Sequence, residues 1–245
     1  MAALMQDSVV LFGDSLTAAV NVNGTLDFRM NKVYSRRLDI VNRGYGGYNT
    51  PMARDIFDDI FAKRDTPATP VRLLTLWFGT NDSTLPPNTR YVTVEKFVEH
   101  MDFFLESFTS PNSPYAIAHG PPLSIILITP PHPYRTPEGM EPMEQERFDR
   151  LKQFRDAVLD IGKRWKAKED GARWKIATID FWSVLLKAAD GDEDKLKPFF
   201  LDYVHFTAEG YVVLWDAVRE VIGTEFQGRG IDWREDDDLP MTHPW

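Results

Sequence analysis

Short apolar runs alternate along the chain with longer segments in which apolar side chains recur at three- and four-residue spacing. Most of the runs are continuous rather than alternating, which is typical of parallel strands covered on both faces. They predict five strands, at Val9–Phe12, Asp39–Asn42, Val71–Phe78, Ser124–Thr129 and Lys175–Asp180.

Amphipathic helical patterns fill the intervals between these runs. One extends from Val94 to Phe108 and another from Phe148 to Trp165. A last helix is predicted to start near Thr207, a favourable N-cap residue. This alternation of strand and helix predicts an α/β fold, a three-layer α/β/α sandwich on a flavodoxin-like five-stranded parallel sheet with right-handed crossovers.

Composition and charge exclude several classes of protein and of chemistry. The 245 residues are 43% hydrophobic and 27% charged, as in an ordinary globular protein. The formal net charge of −9 argues against a nucleic-acid partner, since such proteins usually carry a basic face. The absence of cysteine excludes disulfides, thiolate catalysis and cysteine-ligated zinc. With no signal peptide and no membrane span in the sequence, we expect a cytoplasmic protein.

The last part of the chain changes character. We predict one domain over residues 1–223, followed by an acidic C-terminal tail over residues 224–245. We expect this tail to pack on the domain or on a partner. Its end, Pro244-Trp245, is a candidate for docking on a neighbouring copy, which would make the protein a homo-oligomer.

Gly13, Asp14 and Ser15 follow the first predicted strand, where an open α/β sheet displays its reactive groups. A serine there begins the next segment, whose free backbone N–H groups can face developing negative charge. Glycine, aspartate and serine are also common turn residues, so this segment alone fits a structural turn as well as a nucleophile.

Two further segments are expected at strand ends. The glycine-rich stretch Asn42–Thr50 follows the second strand, and Gly79–Asp82 follows the third. Glycine lets a backbone approach a ligand closely, and the side-chain amide of Asn81 can donate to an oxyanion. Each stretch taken alone is better explained as an ordinary turn. The glycines do not fit GxGxxG, so dinucleotide binding is not supported.

Asp202 and His205 place an acid and an imidazole three residues apart, at a predicted strand-to-helix junction. A serine hydroxyl is a poor nucleophile until a base accepts its proton, and a carboxylate can hold that base in the required tautomer. His100 lies in an amphipathic helix and is expected at the surface, while the other histidines lie in loops or the tail. His205 is therefore the candidate base, with a structural histidine as the alternative.

The order of these four segments resembles the SGNH, or GDSL-type, hydrolase superfamily, from Phe12 to His205. The second and third segments are most similar to the isoamyl acetate-hydrolysing esterase branch. The resemblance implies a serine esterase that hydrolyses short-chain, acetate-type esters through an acyl-enzyme, with no cofactor and no metal. It assigns the catalytic triad to Ser15, Asp202 and His205. It assigns the oxyanion hole to Ser15, Gly47 and Asn81.

Side chains beside the four segments are candidates for the wall of a substrate pocket. We assign substrate contacts to Leu16, Tyr48 and Phe206. Core packing is the better interpretation of Phe12 and Trp77. Two departures from the family pattern bear on pocket shape: Gly46 stands where many relatives have serine, and bulky Tyr203 and Val204 separate the acid from the base. The loop over residues 130–135 is expected to rim the site.

Asp14 lies next to the nucleophile and is the alternative catalytic acid. Adjacent residues tend to point apart, so Asp14 is better explained as a residue that shapes the turn.

Other functions remain open at this point. A carbohydrate O-deacetylase or a thioesterase would use the same catalytic set, and an acyltransferase would also exclude water from the acyl-enzyme. A non-catalytic binding module with a phosphate ligand at the same strand ends is the alternative of a different class. The sequence has no GxSxG elbow, which disfavours the ordinary α/β-hydrolase lipase fold. The expected partner is a small-molecule ester.

Overall fold

A five-stranded parallel sheet forms the centre of the protein in a computed structural model, which describes residues 6–19 and 22–241. The strand order is β2-β1-β3-β4-β5, the flavodoxin-like order, and it confirms the predicted fold. Every strand overlaps its predicted range, with ends that differ by no more than two residues. The strands are β1 (Ser8–Gly13), β2 (Asp39–Gly44), β3 (Val71–Trp77), β4 (Leu123–Ile128) and β5 (Trp174–Ile179).

Helices cover both faces of this sheet. The described helices are α1 (Ser15–Ala18), α2 (Leu26–Tyr34), α3 (Thr50–Asp55), α4 (Phe57–Ile60), α5 (Val94–Thr109), α6 (Gln145–Lys166), α7 (Phe181–Ala188) and α8 (Ala208–Thr224). Two 3-10 helices lie at Ala116–His119 and Glu193–Phe199. α8 begins as predicted, because the Thr207 hydroxyl accepts a hydrogen bond from the N–H of Gly210. None of the described helices is both long and apolar enough to cross a membrane.

The side chains of neighbouring residues in β1 pack in two separate cores, one on each side of the sheet. Val9 and Leu11 pack in the core that α2, α7 and α8 cover. Val10 and Phe12 pack in the core that α3, α4, α5 and α6 cover. Because side chains alternate between the two faces of a strand, this division produces the three predicted layers. Phe12 and Trp77 are core residues, as predicted, with no more than 1% of either exposed.

The chain changes direction across the sheet after β2. From β1 it crosses to β2 on one side, and it then returns to β3 on the other side of β1. At such a point the loops that follow two adjacent strands separate and leave a crevice, where open α/β sheets bind ligands. Ser15 follows β1 and Asn81 follows β3, so both lie at this crevice.

The segment after α8 packs on the same face of the sheet as α2. Phe226 and Ile231 are fully buried in that core. The Tyr34 hydroxyl donates to the carbonyl of Ile231 at 2.8 Å. Trp233 stacks on Trp215 of α8, with ring centroids 5.2 Å apart. Pro244-Trp245, the predicted docking end, lies outside the described residues.

His100 is buried, so its predicted surface position is wrong. Only 5% of the residue is exposed, because the face of α5 that carries it packs against α3. Nη1 of Arg54, on α3, lies 3.5 Å from Nδ1 of His100. Burial and the neighbouring Arg54 charge lower the pKa of His100, which favours a neutral ring.

Gly44, the last residue of β2, lets that strand approach α1 closely. A methyl group on Gly44 would stand 2.1 Å from the backbone nitrogen of Ala18 and 2.6 Å from the carbonyl carbon of Thr17. These are backbone atoms, which cannot turn aside as a flexible side chain can. The same methyl group on Gly46 would meet no atom within 4 Å.

We expect Gly44→Ala to lower the free energy of unfolding by about 1–3 kcal/mol, the usual cost of forcing extra volume into a packed site. Gly46→Ala is the matched control, since its space is open and its φ lies outside the left-handed region. Urea unfolding followed by tryptophan fluorescence measures both variants. Equal losses in the two would contradict the close-approach argument.

Candidate active site

Ser15 is the first residue of α1, a single turn that begins directly after β1. Asp14 caps this turn, because its Oδ1 accepts a hydrogen bond from the N–H of Leu16 at 2.9 Å. The turn is also held from α8, where the Tyr211 hydroxyl donates to the carbonyl of Leu16 at 2.7 Å. The serine is therefore fixed by the strand before it and by the last helix of the chain.

Ser15, His205 and Asp202 form one chain of hydrogen bonds. The Oγ atom of Ser15 lies 2.9 Å from Nε2 of His205. Nδ1 of His205 lies 2.7 Å from Oδ2 of Asp202. A carboxylate can only accept, so Nδ1 donates to Asp202 and the neutral ring presents Nε2 as an acceptor to the serine hydroxyl.

The loop that carries the acid and the base is built around Asp202. Its Oδ1 accepts hydrogen bonds from the backbone N–H groups of Val204 and His205, both at 2.9 Å. One carboxyl oxygen thus shapes the loop while the other orients the imidazole. The Tyr134 N–H donates to the carbonyl of Tyr203 at 2.9 Å, so the loop after β4 also contacts this segment.

The predicted strand end before Asp202 is wrong. The loop follows the 3-10 helix Glu193–Phe199 and precedes α8, and the sheet has already ended with β5. Phe200 pairs only with Phe206, in an isolated antiparallel bridge within the same loop. The backbone in this loop finds its partners locally, so this loop adds no strand to the sheet.

Electrostatics favour a charged acid and a basic imidazole. Burial opposes ionisation of Asp202, but hydrogen bonds from the His205 ring and from the backbone N–H groups outweigh it and lower the pKa of Asp202 to about 2. The hydrogen bond to Asp202 raises the pKa of His205 above its ordinary value, against the opposing effect of burial.

The side chain of Asn81 links the ends of β1, β2 and β3. Its Nδ2 donates to the carbonyl of Tyr48 at 2.9 Å and lies 3.5 Å from Oδ2 of Asp14. Gly47, which precedes Tyr48, has a φ of +78, in the left-handed region that favours glycine. The N–H of Ser15 has no acceptor within its own helix, because it opens the first turn. The three predicted oxyanion residues therefore lie at the same edge of the sheet, Ser15 at the start of α1 and Gly47 and Asn81 in loops.

Two buried carboxyl groups lie beneath this edge. Asp14 is 1% exposed, and its burial, reinforced by the nearby charge of Asp82, raises its pKa to about 7. Asp82 is fully buried, and burial raises its pKa to about 6. Oδ1 of Asp82 accepts from the N–H of Thr50 at 2.8 Å and from its hydroxyl at 2.5 Å, which fixes the start of α3. Sequence reasoning gave Asp82 no role of its own, although it directly follows Asn81.

The three residues assigned to substrate contact differ in exposure. Leu16 and Phe206 are each 1% exposed, and the Phe206 ring stacks on Trp77 with centroids 6.1 Å apart. A ligand could touch little of either side chain, so these two contacts stay predictions. Tyr48 is half-buried and pairs with Tyr45, with ring centroids 5.2 Å apart. A substrate contact at Tyr48 also stays a prediction.

Several known proteins are similar to this chain in sequence or in fold. A GDSL esterase/lipase of Arabidopsis thaliana is 27% identical over 98% of this chain and 92% of its own length. An isoamyl acetate-hydrolyzing esterase 1 homolog of Rattus norvegicus is 31% identical over 85% of this chain and 78% of its own. The fold is similar to that of an acetylxylan esterase from Geobacillus stearothermophilus, with a TM-score of 0.60, 16% identity, and coverage of 91% of this chain and 96% of that one.

The family resemblance seen in the sequence is confirmed by these matches. A profile of the GDSL-like Lipase/Acylhydrolase family matches residues 11–213, which include Ser15, Asn81, Asp202 and His205. The matched range begins within β1 and ends within α8, so it includes part of β1 and all of the other four strands. The chain therefore belongs to the GDSL-like lipase/acylhydrolase family and is a carboxylic ester hydrolase.

Proposed function

We propose that the protein is a serine esterase that hydrolyses short-chain, acetate-type esters, with Ser15 as the nucleophile. The observation that carries this proposal is the hydrogen-bond chain from Ser15 through His205 to Asp202. A hydroxyl, an imidazole and a carboxylate in that order can transfer a proton away from the serine as it attacks.

The reaction proceeds in two halves. As Ser15 Oγ attacks the carbonyl carbon of the ester, Nε2 of His205 accepts its proton. The imidazolium, stabilised by Asp202, then gives that proton to the leaving alcohol, and the acyl group remains on Ser15. Water repeats the sequence: His205 takes its proton, the hydroxyl attacks the acyl carbon, and the proton returns to Oγ as the carboxylic acid leaves.

The negative charge on the carbonyl oxygen requires donors that are already in place. We assign this role to the N–H groups of Ser15 and Gly47 and to the side-chain amide of Asn81. Donors fixed before the reaction stabilise the tetrahedral intermediate without reorganisation at the moment of attack. The hydrogen bond from the Asn81 amide to the Tyr48 carbonyl supports this assignment, because it holds the amide close to the turn that contains Gly47.

The preference for short acyl groups is supported by the relatives. Isoamyl acetate-hydrolyzing esterase homologs match most of the chain, and the acetylxylan esterase shares its fold. Both names describe removal of an acetyl group, one from a simple alcohol and the other from a polysaccharide. Hydrolysis of sugar acetates is therefore the second candidate function.

A panel of esters tests this proposal. We expect wild type to hydrolyse p-nitrophenyl acetate and butyrate faster than the octanoate. Ser15→Ala should lose activity on all three, because attack then has no covalent route. Acetylated xylose in the same panel separates the two candidate functions, and mass spectrometry after treatment with a fluorophosphonate probe locates the nucleophile.

Three results would contradict the proposal. Unchanged hydrolysis by folded Ser15→Ala would remove Ser15 from the chemistry. An absence of both hydrolysis and probe labelling in wild type would favour a non-catalytic binding module. Acyl transfer to added alcohol, with little free acid formed, would instead indicate an acyltransferase.

The pH dependence should follow the protonation of His205. The base must be neutral to accept the serine proton, so kcat/KM should fall as pH falls through the pKa of His205. Asp202→Asn removes the main cause that raises this pKa, and the His205 titration should therefore move to lower pH. NMR titration of the imidazole measures it, with Asp216→Asn on the exposed face of α8 as the control. An unmoved titration in Asp202→Asn would contradict the assignment.

Asp14→Asn should retain far more activity than Asp202→Asn. Asparagine keeps an oxygen for the Leu16 N–H, and a carboxyl with a pKa of about 7 is already partly neutral at neutral pH. Burial raises this pKa from 3.8, so wild type loses stability as pH rises from 3.8 to about 7, whereas Asp14→Asn avoids that loss.

Urea unfolding of both proteins across this pH range checks the argument. The stability of Asp14→Asn relative to wild type should increase with pH. Asp14→Ala, which lacks the capping oxygen, should be less stable than Asp14→Asn by about 0.5–2 kcal/mol. A pH-independent difference between wild type and Asp14→Asn would show that folding does not raise the pKa of Asp14.

A further inference from the structure

The guanidinium group of Arg90 lies directly against the backbone of Gly47. A methyl group on Gly47 would stand 3.1 Å from Nη2 of Arg90, 3.4 Å from Nε and 3.5 Å from Cζ. The cation can approach this closely because residue 47 has no side chain. A positive charge therefore stands beside the N–H group that we assign to the oxyanion hole.

The loop between β3 and α5 holds Arg90 to the same turn as Gly47. The carbonyl of Arg90 accepts a hydrogen bond from Nδ2 of Asn49 at 3.0 Å. Oδ1 of Asn49 accepts from the N–H of Met52 at 3.0 Å and so caps α3. The position of Arg90 relative to Gly47 is thus set by main-chain and capping contacts, not by the long side chain alone.

Within the part of the chain that the structure describes, the charge of Arg90 has no ion-pair partner. No described carboxylate lies within ion-pair distance of its guanidinium, whereas Arg155 and Arg164 each pair with an aspartate. The residue is exposed. Arginine presents several N–H donors in a planar fork that matches a carboxylate or a phosphate, and these donors remain free for a ligand.

We propose that Arg90 is a specificity-determining residue, which selects esters that carry a negatively charged group near the scissile bond. The inference rests on the proposed esterase function. A substrate whose carbonyl oxygen contacts the N–H of Gly47 brings its nearest substituents within reach of the Arg90 side chain. A carboxylate or phosphate there would form charge-assisted hydrogen bonds with the guanidinium.

Two pairs of esters test whether Arg90 selects charged substrates. They also show whether the preferred charge lies on the acyl side or on the alcohol side of the scissile bond. Mono-p-nitrophenyl succinate and its methyl ester differ by a carboxylate on the acyl side. The 4-acetoxybenzoate anion and its methyl ester differ by a carboxylate on the alcohol side. In each pair the ratio of kcat/KM for the charged ester to that for the neutral ester isolates the effect of the charge.

In at least one pair, we expect Arg90→Ala to lower this ratio by about 10- to 100-fold, the range for loss of a charged hydrogen bond. Arg90→Lys should retain part of the ratio, because it keeps the charge without the fork. Added NaCl should lower the wild-type ratio, since the interaction is exposed to solvent. Arg43→Ala is the matched control, because Arg43 is also exposed but lines a separate cavity with Val41 and Ile60.

One outcome would overturn the inference while leaving the esterase function intact: neither ratio changes in Arg90→Ala. Equal losses on the charged and neutral esters would then indicate a general effect on the oxyanion turn, and unchanged rates on all four esters would show that the side chain has no part in substrate selection. Failure of the proposed function looks different: wild type and Ser15→Ala would then be equally inactive on all four esters.

Discussion

The hydrogen bond between Ser15 and His205 joins the short helix α1 to a loop 190 positions further along the chain, and the candidate site depends on it. Neither segment could hold this geometry alone. Ser15 is fixed by β1, by the close approach of β2 at Gly44 and by the Asp14 cap. The helix that follows His205 reaches back to the serine turn through Tyr211, so one bond from α8 ties the base to the nucleophile.

Two acidic residues near Ser15 have opposite electrostatic environments. Hydrogen bonds from an imidazole and from backbone N–H groups keep Asp202 ionised, with a pKa of about 2. Burial raises the pKa of Asp14 to about 7, although it lies beside the nucleophile in sequence. A fixed negative charge at Asp202 stabilises the imidazolium, whereas a full negative charge at Asp14 would repel a developing oxyanion. The separation of the two pKa values therefore suits the division of roles that we propose.

The sequence predicted the sheet and three helices well because these elements carry long, regular patterns. Buried parallel strands read as continuous apolar runs, and α5, α6 and α8 each show several helical turns of periodic apolar residues. The single turn α1 has no such pattern. His100 was misplaced because periodicity within α5 does not reveal that α3 covers it. The junction at Asp202 was predicted to follow a strand, yet Phe200 and Phe206 on either side of it pair with each other in a local bridge.

The candidate site was predictable where chemistry alone restricts the residue type. Few side chains can act as nucleophile, base and acid, and Ser15, His205 and Asp202 stood out for that reason. Tyr211, Asp82 and Arg90 did not, because their roles consist of contacts with distant parts of the chain. Nothing in the local sequence of Tyr211 indicates that its hydroxyl donates to the carbonyl of Leu16. In the same way, nothing in the sequence near Arg90 indicates that its guanidinium lies against Gly47.

The site is divided between the two faces of the sheet. Leu16 and Tyr211, which flank the nucleophile and the base, belong to the core covered by α2, α7 and α8. Phe78 and Val92, at either end of the loop that carries Asn81 and Arg90, belong to the opposite core. The two halves meet at the crevice between β1 and β3. Because the Arg90 loop is anchored in the second half, its side chains can vary without disturbing the packing that holds Ser15 against His205. This separation is the structural reason to look for substrate selectivity on the Arg90 side of the crevice.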